Sequence, residues 1–439
     1  MNDPGGSGAS GALDGLKARQ WEQLTGLLSG LLPANRFYTA KFEGAGVRLP
    51  IESIAHFSET LPFTSKQELV EDQRCAPPYG GNLTFPLERY TRCHQTSGTT
   101  GSPLRWLDTP ESWRWMLGNW IEVFRAAGVG ATDRVFFPFS FGPFIGFWLA
   151  FEAAAEMGCL CLPGGGLSTG ARIRSILDHG ATVLCATPTY AIRLAEIAAD
   201  EGVDLRDCPV RTIIVAGEPG GSVPSTRSRL EALWPTARVF DHHGMTEVGP
   251  VTYECPAKPG TLHVIESAFI TEIIDPETLR AVPEGQTGEL VLTTLGRIGS
   301  PLIRYRTGDF VRAVPRGSGA LACACGRIEL ALEGGILGRV DNMIIVRGVN
   351  VFPSAIEGVI RSYPEIGEYQ VQVQTSNALT ELKILVEPAV DGEDLKQVIQ
   401  ALQKRFLNSF SLRVPVTGVQ RGTLPRFELK ARRWVPMGT

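Results

Sequence analysis

Between about residues 130 and 245, short apolar runs alternate with stretches whose apolar positions recur every three or four residues. The runs at 135–138, 159–162, 181–186, 211–216 and 237–240 predict buried strands, and the stretches at 147–156, 171–179, 190–199 and 227–233 predict helices between them. Such alternation implies parallel strands covered by helices, with ligands held at the carboxyl ends of the strands. After residue 260 the pattern becomes β-rich, with runs at 269–274, 289–294 and 302–305 separated by Pro/Gly turns, which suits a smaller mixed sheet or barrel. It shifts again at Gly338-Arg339-Val340-Asp341-Asn342. Beyond that point a helix is expected at 355–362, strands at 369–373 and 382–386, and an amphipathic helix at 394–410. Leu395, Val398, Ile399, Leu402 and Phe406 share one face of that last helix. The expected fold is therefore α/β. A large N-terminal domain (16–340) carries α/β subdomains and a β-rich part at about 260–335, and a small α+β domain (341–439) follows.

Composition narrows the classes. A chain of 439 residues is too long for one core. The net charge of −4 leaves no basic footprint, so nucleic acid is not an expected partner. The longest apolar candidate, 144–157, is short and carries Glu152 and Glu156, so no membrane span is expected. Residues 1–15 are rich in Gly, Ser and Asp and lack a signal-peptide pattern, which predicts a disordered tail. Nine scattered cysteines, an odd number, argue against a disulfide framework and for a reducing, cytoplasmic setting.

Candidate chemistry begins with Thr96-Ser97-Gly98-Thr99-Thr100-Gly101-Ser102-Pro103. Its glycines let the backbone approach an anion and its hydroxyls supply donors. It lacks the lysine of a Walker A loop, and standing alone it could also be a polar turn; Gly165-Gly166-Leu167-Ser168-Thr169-Gly170 is a decoy of the same kind. More than 300 residues later, Lys430 lies in Leu424-Pro425-Arg426-Phe427-Glu428-Leu429-Lys430. Between them come Gly244-Met245-Thr246-Glu247, Arg304-Tyr305-Arg306-Thr307-Gly308-Asp309 and Gly338-Arg339-Val340-Asp341. In this order and spacing the blocks resemble the adenylate-forming superfamily of acyl-CoA synthetases, adenylation domains and luciferases. The compact length, His94 before the loop, Ala216-Gly217-Glu218-Pro219, Pro301 to Asp309, Arg347-Gly348-Val349-Asn350-Val351-Phe352-Pro353 and Leu424-Pro425-Arg426 are similar to the phenylacetate-CoA ligase family.

The resemblance implies roles. Thr96, Ser97, Gly98, Thr99, Thr100 and Gly101 would cradle the β,γ-phosphates of ATP. Ala216, Gly217, Glu218 and Pro219 would line the adenine pocket, with His243 where an aromatic residue often stacks on the base. Thr246 would bond the α-phosphate, Glu247 would hold Mg²⁺, Asp309 would bind the ribose hydroxyls and Arg339 would support the nucleotide. Asp341 would be the hinge on which a mobile C-terminal domain swings. Lys430 and Mg²⁺ would neutralise charge while a carboxylate attacks the α-phosphorus, after which the lysine withdraws and coenzyme A enters.

An acid pocket is expected near Phe139, Phe141, Gly142, Pro143 and Phe144, where an aromatic run joins glycines that admit a flat ring, with His242 and Glu218 candidates to recognise a substituent. That favours a small aryl acid of the phenylacetate, benzoate or anthranilate type. Cys255, His263, Cys323 and Cys325 form a donor set that suits a structural Zn²⁺, although the Cys-x-Cys spacing is tight. His56 and His179, outside any motif, read as structural. The expected enzyme is an AMP-forming aryl-CoA ligase. Its rivals are transfer of the aryl group to a carrier-protein phosphopantetheine and a non-catalytic nucleotide-binding scaffold. The resemblance also implies a homodimer.

Overall fold

The structure is a computed structural model. It describes residues 6–96, 103–315, 323–340, 344–347, 349–376, 379–427 and 431–437. Ser97, Gly98, Thr99, Thr100, Gly101, Asp341 and Lys430 lie outside the described residues. The chain forms two compact units, one of residues 1–165 with 242–335, the other of 166–241 with 336–439. The C-terminal segment, from residue 336, groups with 166–241 in the second unit.

The first unit opens with the helix Gly6–Leu31, so residues 6–15, expected to be disordered, are helical. Leu24, Leu28 and Leu31 of this helix join Tyr38, Phe42, Phe57 and Ile303 in one buried cluster, so tertiary burial continues a helix that its Gly/Ser-rich start would not sustain alone. The helix Lys66–Cys75 is closed by a reciprocal capping box, with Ser65 and Glu68 each accepting from the other's backbone N–H. Strands Arg92–Gln95 and Arg105–Asp108 pair antiparallel. Strands Arg134–Phe137 and Leu160–Pro163 pair in parallel, joined through the helix Trp148–Glu156, as the alternation predicts. The β-rich part contains the antiparallel strands Phe269–Ile274, Thr287–Thr294 and Tyr305–Arg312. The run expected as a strand at 302–305 is instead a turn. Arg304 takes a left-handed φ of 47°, its guanidinium paired with Glu272 and stacked 3.8 Å from the Phe63 centroid, and the strand starts only at Tyr305.

The second unit holds parallel strands Val183–Ala186, Thr212–Val215 and Arg238–Asp241, with helices Thr169–Asp178, Pro188–Asp200 and Pro224–Leu233. Its C-terminal part is a four-stranded sheet. Ile366–Ser376 and Leu379–Pro388 run antiparallel at its centre, flanked in parallel by Trp434–Pro436 and Val416–Gly418. Helices Pro353–Arg361 and Lys396–Phe410 also contribute to its apolar core. The face foreseen from periodicity is the buried one: Leu395, Leu402 and Phe406 lie in the core with Val398 and Ile399 against it. Phe406→Ala should therefore lower unfolding free energy by roughly 3–5 kcal/mol. Urea denaturation checks this, and a loss below about 1 kcal/mol would contradict the packing.

Candidate active site

In the first unit, the strand pair Arg92–Gln95/Arg105–Asp108 brings the chain to and from the glycine-rich loop. Thr96 N–H donates to the Leu104 carbonyl at 2.9 Å and Leu104 N–H to Thr96 Oγ1 at 3.0 Å. The base of the loop is thereby clasped at both ends, while the loop itself (97–102) lies outside the described residues.

The turn carrying Thr246 and Glu247 is fixed by a side chain that no motif reveals. Arg297 is fully buried and makes a two-point ion pair with Asp108, Nε and Nη2 each donating at 2.7 Å. Its Nη1 donates to the carbonyls of Thr246 (2.7 Å) and Glu247 (2.8 Å), and its guanidinium lies over the Trp106 ring, 5.2 Å from the centroid. The Glu247 carboxylate, itself buried, meets the half-exposed Lys66 ammonium at 3.2 Å. Lys66 was also missed, because nothing local links it to a residue 181 positions away.

Asp309, on the strand Tyr305–Arg312, is buried, and its Oδ2 accepts from the His243 Nε2–H at 3.1 Å. His243, placed by the sequence at a base-stacking position, is thus engaged edge-on with the expected ribose carboxylate. The neighbouring His242 is buried against Trp120, with centroids 4.4 Å apart, and its Nδ1 is 2.6 Å from the Thr252 carbonyl. Nδ1 therefore carries the proton in the neutral ring. Burial pushes its pKa down to about 3. His94, which precedes the loop, stacks on Trp113 at 5.2 Å, and burial lowers its pKa to about 4.

The predicted acid pocket is an aromatic cluster. Phe139 stacks on Phe147 (4.8 Å), and Phe141 packs against Trp148 (4.5 Å) and Phe151 (5.2 Å). Trp148 Nε1 donates to the Gly142 carbonyl, and Gln95 N–H to the Pro143 carbonyl, so the run is tied to the strand that leads into the glycine-rich loop. Phe144 stands apart from this cluster, 43% exposed.

In the second unit, Ala216–Pro219 follows the strand Thr212–Val215, with Gly217 at φ 92°, where a Cβ would be strained. The Glu218 carboxylate accepts from Thr189 N–H (2.8 Å) and from Ala431 N–H (2.9 Å). Arg339 lies in the short strand Gly338–Arg339, beside a glycine whose Cβ would collide with the Phe352 ring.

The cysteine–histidine set converges. The donor atoms of Cys255, His263, Cys323 and Cys325 all lie within 4.8 Å of one another, with Cys255 and Cys323 sulfurs 3.6 Å apart and Cys325 Sγ 3.4 Å from His263 Nε2. Tetrahedral zinc with Zn–S near 2.3 Å sets its sulfurs about 3.8 Å apart, so the spacing fits. His263 Nδ1 is 3.2 Å from the Glu329 carbonyl, which directs the Nε2 lone pair at the cluster. The tight Cys-x-Cys turn is closed by Gly326, at φ 82°, whose N–H donates to the Cys323 carbonyl.

Residues 94–296 match the family model described as AMP-binding enzyme, and 348–436 match that of the AMP-binding enzyme C-terminal domain. The chain is 32% identical to the phenylacetate-coenzyme A ligase of Pseudomonas putida over 436 residues, covering 96% of this chain and 94% of that one. The chain belongs to the adenylate-forming family of AMP-binding enzymes. The phenylacetate-coenzyme A ligase of Escherichia coli K12 is another such relative, 30% identical over 96% of this chain and 95% of its own length. Among solved structures, a 2-hydroxyisobutyryl-CoA ligase in complex with 2-HIB-AMP is similar with a TM-score of 0.89 at 27% identity, over 96% of this chain and 89% of that one. The resemblance read from the motif order is therefore a family membership that spans nearly the whole chain.

Two predictions follow from this geometry. Arg297→Met leaves Asp108 as an uncompensated buried charge and should cost roughly 3–5 kcal/mol; a urea midpoint near that of the parent would contradict the anchoring role. His242 and His94 both bind protons less readily when folded than at the usual 6.5. Their contribution to stability is whole above about pH 6.5 and declines as pH falls toward 4. His242→Asn should flatten that slope in urea melts across the same window, and an unchanged slope would contradict it.

Proposed function

We propose that this AMP-binding enzyme activates a small aromatic carboxylic acid with ATP and passes the acyl group to coenzyme A. The observation that carries the substrate class is the ring cluster of Phe139, Phe141, Phe147, Trp148 and Phe151, next to the strand that enters the phosphate loop. Whole-length similarity to phenylacetate-coenzyme A ligases supports the same class. A planar acid of the phenylacetate, benzoate or anthranilate type gains offset and edge contacts there that an alkyl chain does not.

In the first half-reaction a carboxylate oxygen attacks the α-phosphorus, the bond to the β-phosphate bridge breaks, and pyrophosphate leaves. Thr96 to Gly101 hold the departing phosphates, Thr246 bonds the α-phosphate, and Asp309, oriented by His243, takes the ribose hydroxyls. Ala216 to Pro219 receive the adenine, Arg339 supports the nucleotide, and Lys430 neutralises charge at the reacting phosphorus. The Glu247 carboxylate fits a magnesium ion: it is buried, and its Lys66 partner sits on a long, half-exposed stem able to give way. Magnesium supplies charge neutralisation on the phosphates. In the second half-reaction the thiolate of coenzyme A attacks the acyl carbonyl, AMP leaves, and the thiol proton passes to solvent.

Cys255, His263, Cys323 and Cys325 hold a structural zinc that pins the β-rich part of the first unit and takes no part in the reaction. Metal analysis should find about one zinc per chain, and a chelator should lower the melting temperature. A metal-free preparation of unaltered melting temperature would remove the zinc assignment.

Acid-dependent ATP–pyrophosphate exchange over a panel of aromatic and aliphatic acids tests the main reading. Aromatic acids should support exchange with a kcat/KM at least about tenfold above that of fatty acids, as ring burial implies. Coenzyme A should then be consumed with release of AMP. Exchange with no acid, or a preference for long alkyl chains, would overturn the substrate class.

A further inference from the structure

Within the second unit, the segment around residue 430 is held on both sides of three residues, 428–430, that include the family lysine. Downstream, Ala431 N–H donates to Glu218 Oε2 at 2.9 Å. The other oxygen of the same carboxylate accepts from Thr189 N–H at 2.8 Å. Thr189 stands in the first turn of the helix Pro188–Asp200, where free N–H groups and the helix dipole favour a carboxylate. Two residues on, Arg433 donates to Thr189 Oγ1 at 3.1 Å. Its guanidinium is fixed by a two-point pair with Glu368 (2.6 and 3.1 Å) and lies between the rings of Tyr369 (5.1 Å) and Phe427 (5.8 Å). Phe427 is the last described residue before Lys430, so this arginine, downstream of the lysine, reaches the chain upstream of it.

We infer that Glu218 is a positioning residue that latches the segment bearing Lys430 for adenylation, with Thr189 and Arg433 completing the latch. Glu218 acts through the backbone N–H of Ala431, the residue that follows the lysine. The latch consists of a few hydrogen bonds, so it can open when the thiol step requires the lysine to withdraw. The inference rests on the proposed two-step reaction for its consequence, but the latch itself is a property of the fold. The adenine-lining role that the family resemblance implies for the 216–219 block is compatible with it, because both carboxylate oxygens of Glu218 point to N–H groups of the protein.

The test compares the full-length parent with Glu218→Gln, which replaces one acceptor oxygen by an amide, and Thr189→Val, which removes the hydroxyl that Arg433 grips. Hydrogen exchange by mass spectrometry follows the peptide covering 428–437, and the two half-reactions are assayed separately. In both variants exchange in that peptide should rise by roughly tenfold or more, the weight of one charge-assisted hydrogen bond. The kcat of pyrophosphate exchange should fall roughly 10- to 100-fold with little change in the KM for ATP, and thioester formation from supplied aryl-AMP should fall much less. Three results would overturn the inference: unaltered protection of the peptide, equal loss of both half-reactions, or a raised KM for ATP with kcat preserved. If the parent exchanges pyrophosphate with no aromatic acid, the proposed reaction fails, and the protection data alone still decide whether the latch exists.

Discussion

Two charges with no access to water organise the first unit. Burying Asp108 and Arg297 costs several kcal/mol for each ion, and the pair is tolerated only because every strong contact is made. The carboxylate takes two parallel donors, and the remaining guanidinium nitrogen turns to two backbone carbonyls, those of Thr246 and Glu247. The strand Arg105–Asp108, the turn with Thr246 and Glu247 and the loop after Thr287–Thr294 are therefore locked by one side chain. Lysine could not replace it, since a single ammonium lacks the planar fork that reaches both a carboxylate and two carbonyls. The Thr246–Glu247 turn, proposed to meet the α-phosphate and magnesium, is held this way before any nucleotide arrives.

Much of the site was legible in the chain because its parts are local. The strand–helix alternation at 135–240 reports burial with the right period, and among the described motif residues Ala216–Pro219 follow a strand end and Thr246 and Glu247 form a turn. The four metal-type donors were legible by their chemistry, and folding brings them within 4.8 Å. What stayed hidden is long-range. Arg297 meets Asp108 across 189 positions, Lys66 meets Glu247 across 181, and Glu218 meets Ala431 across 213. A lone arginine, lysine or glutamate carries no period or spacing that announces such partners. The helix over 6–15 was misread for a related reason, because its composition is that of a solvated tail while its continuation is anchored by leucines that bury against residues far along the chain. Arg304 was read as strand because its neighbours are apolar, yet its left-handed backbone and its stack on Phe63 make it a corner.

Both units bury ion pairs. In the first, Asp108 pairs with Arg297 and Arg304 with Glu272. In the second, Arg433 and Arg361 share Glu368 and Glu357 around the Tyr369 ring. Pairs fixed in this way suit a platform that must hold substrates in register.

The most direct measurement is the affinity of stable acyl-adenylate mimics, aryl and alkyl acyl-sulfamoyl adenosines, determined by calorimetry. An enzyme built around an aryl-adenylate should bind the aryl compound at least about a thousandfold more tightly than AMP or the free acid, and more tightly than the alkyl compound. An aryl mimic that binds no better than AMP would contradict the account.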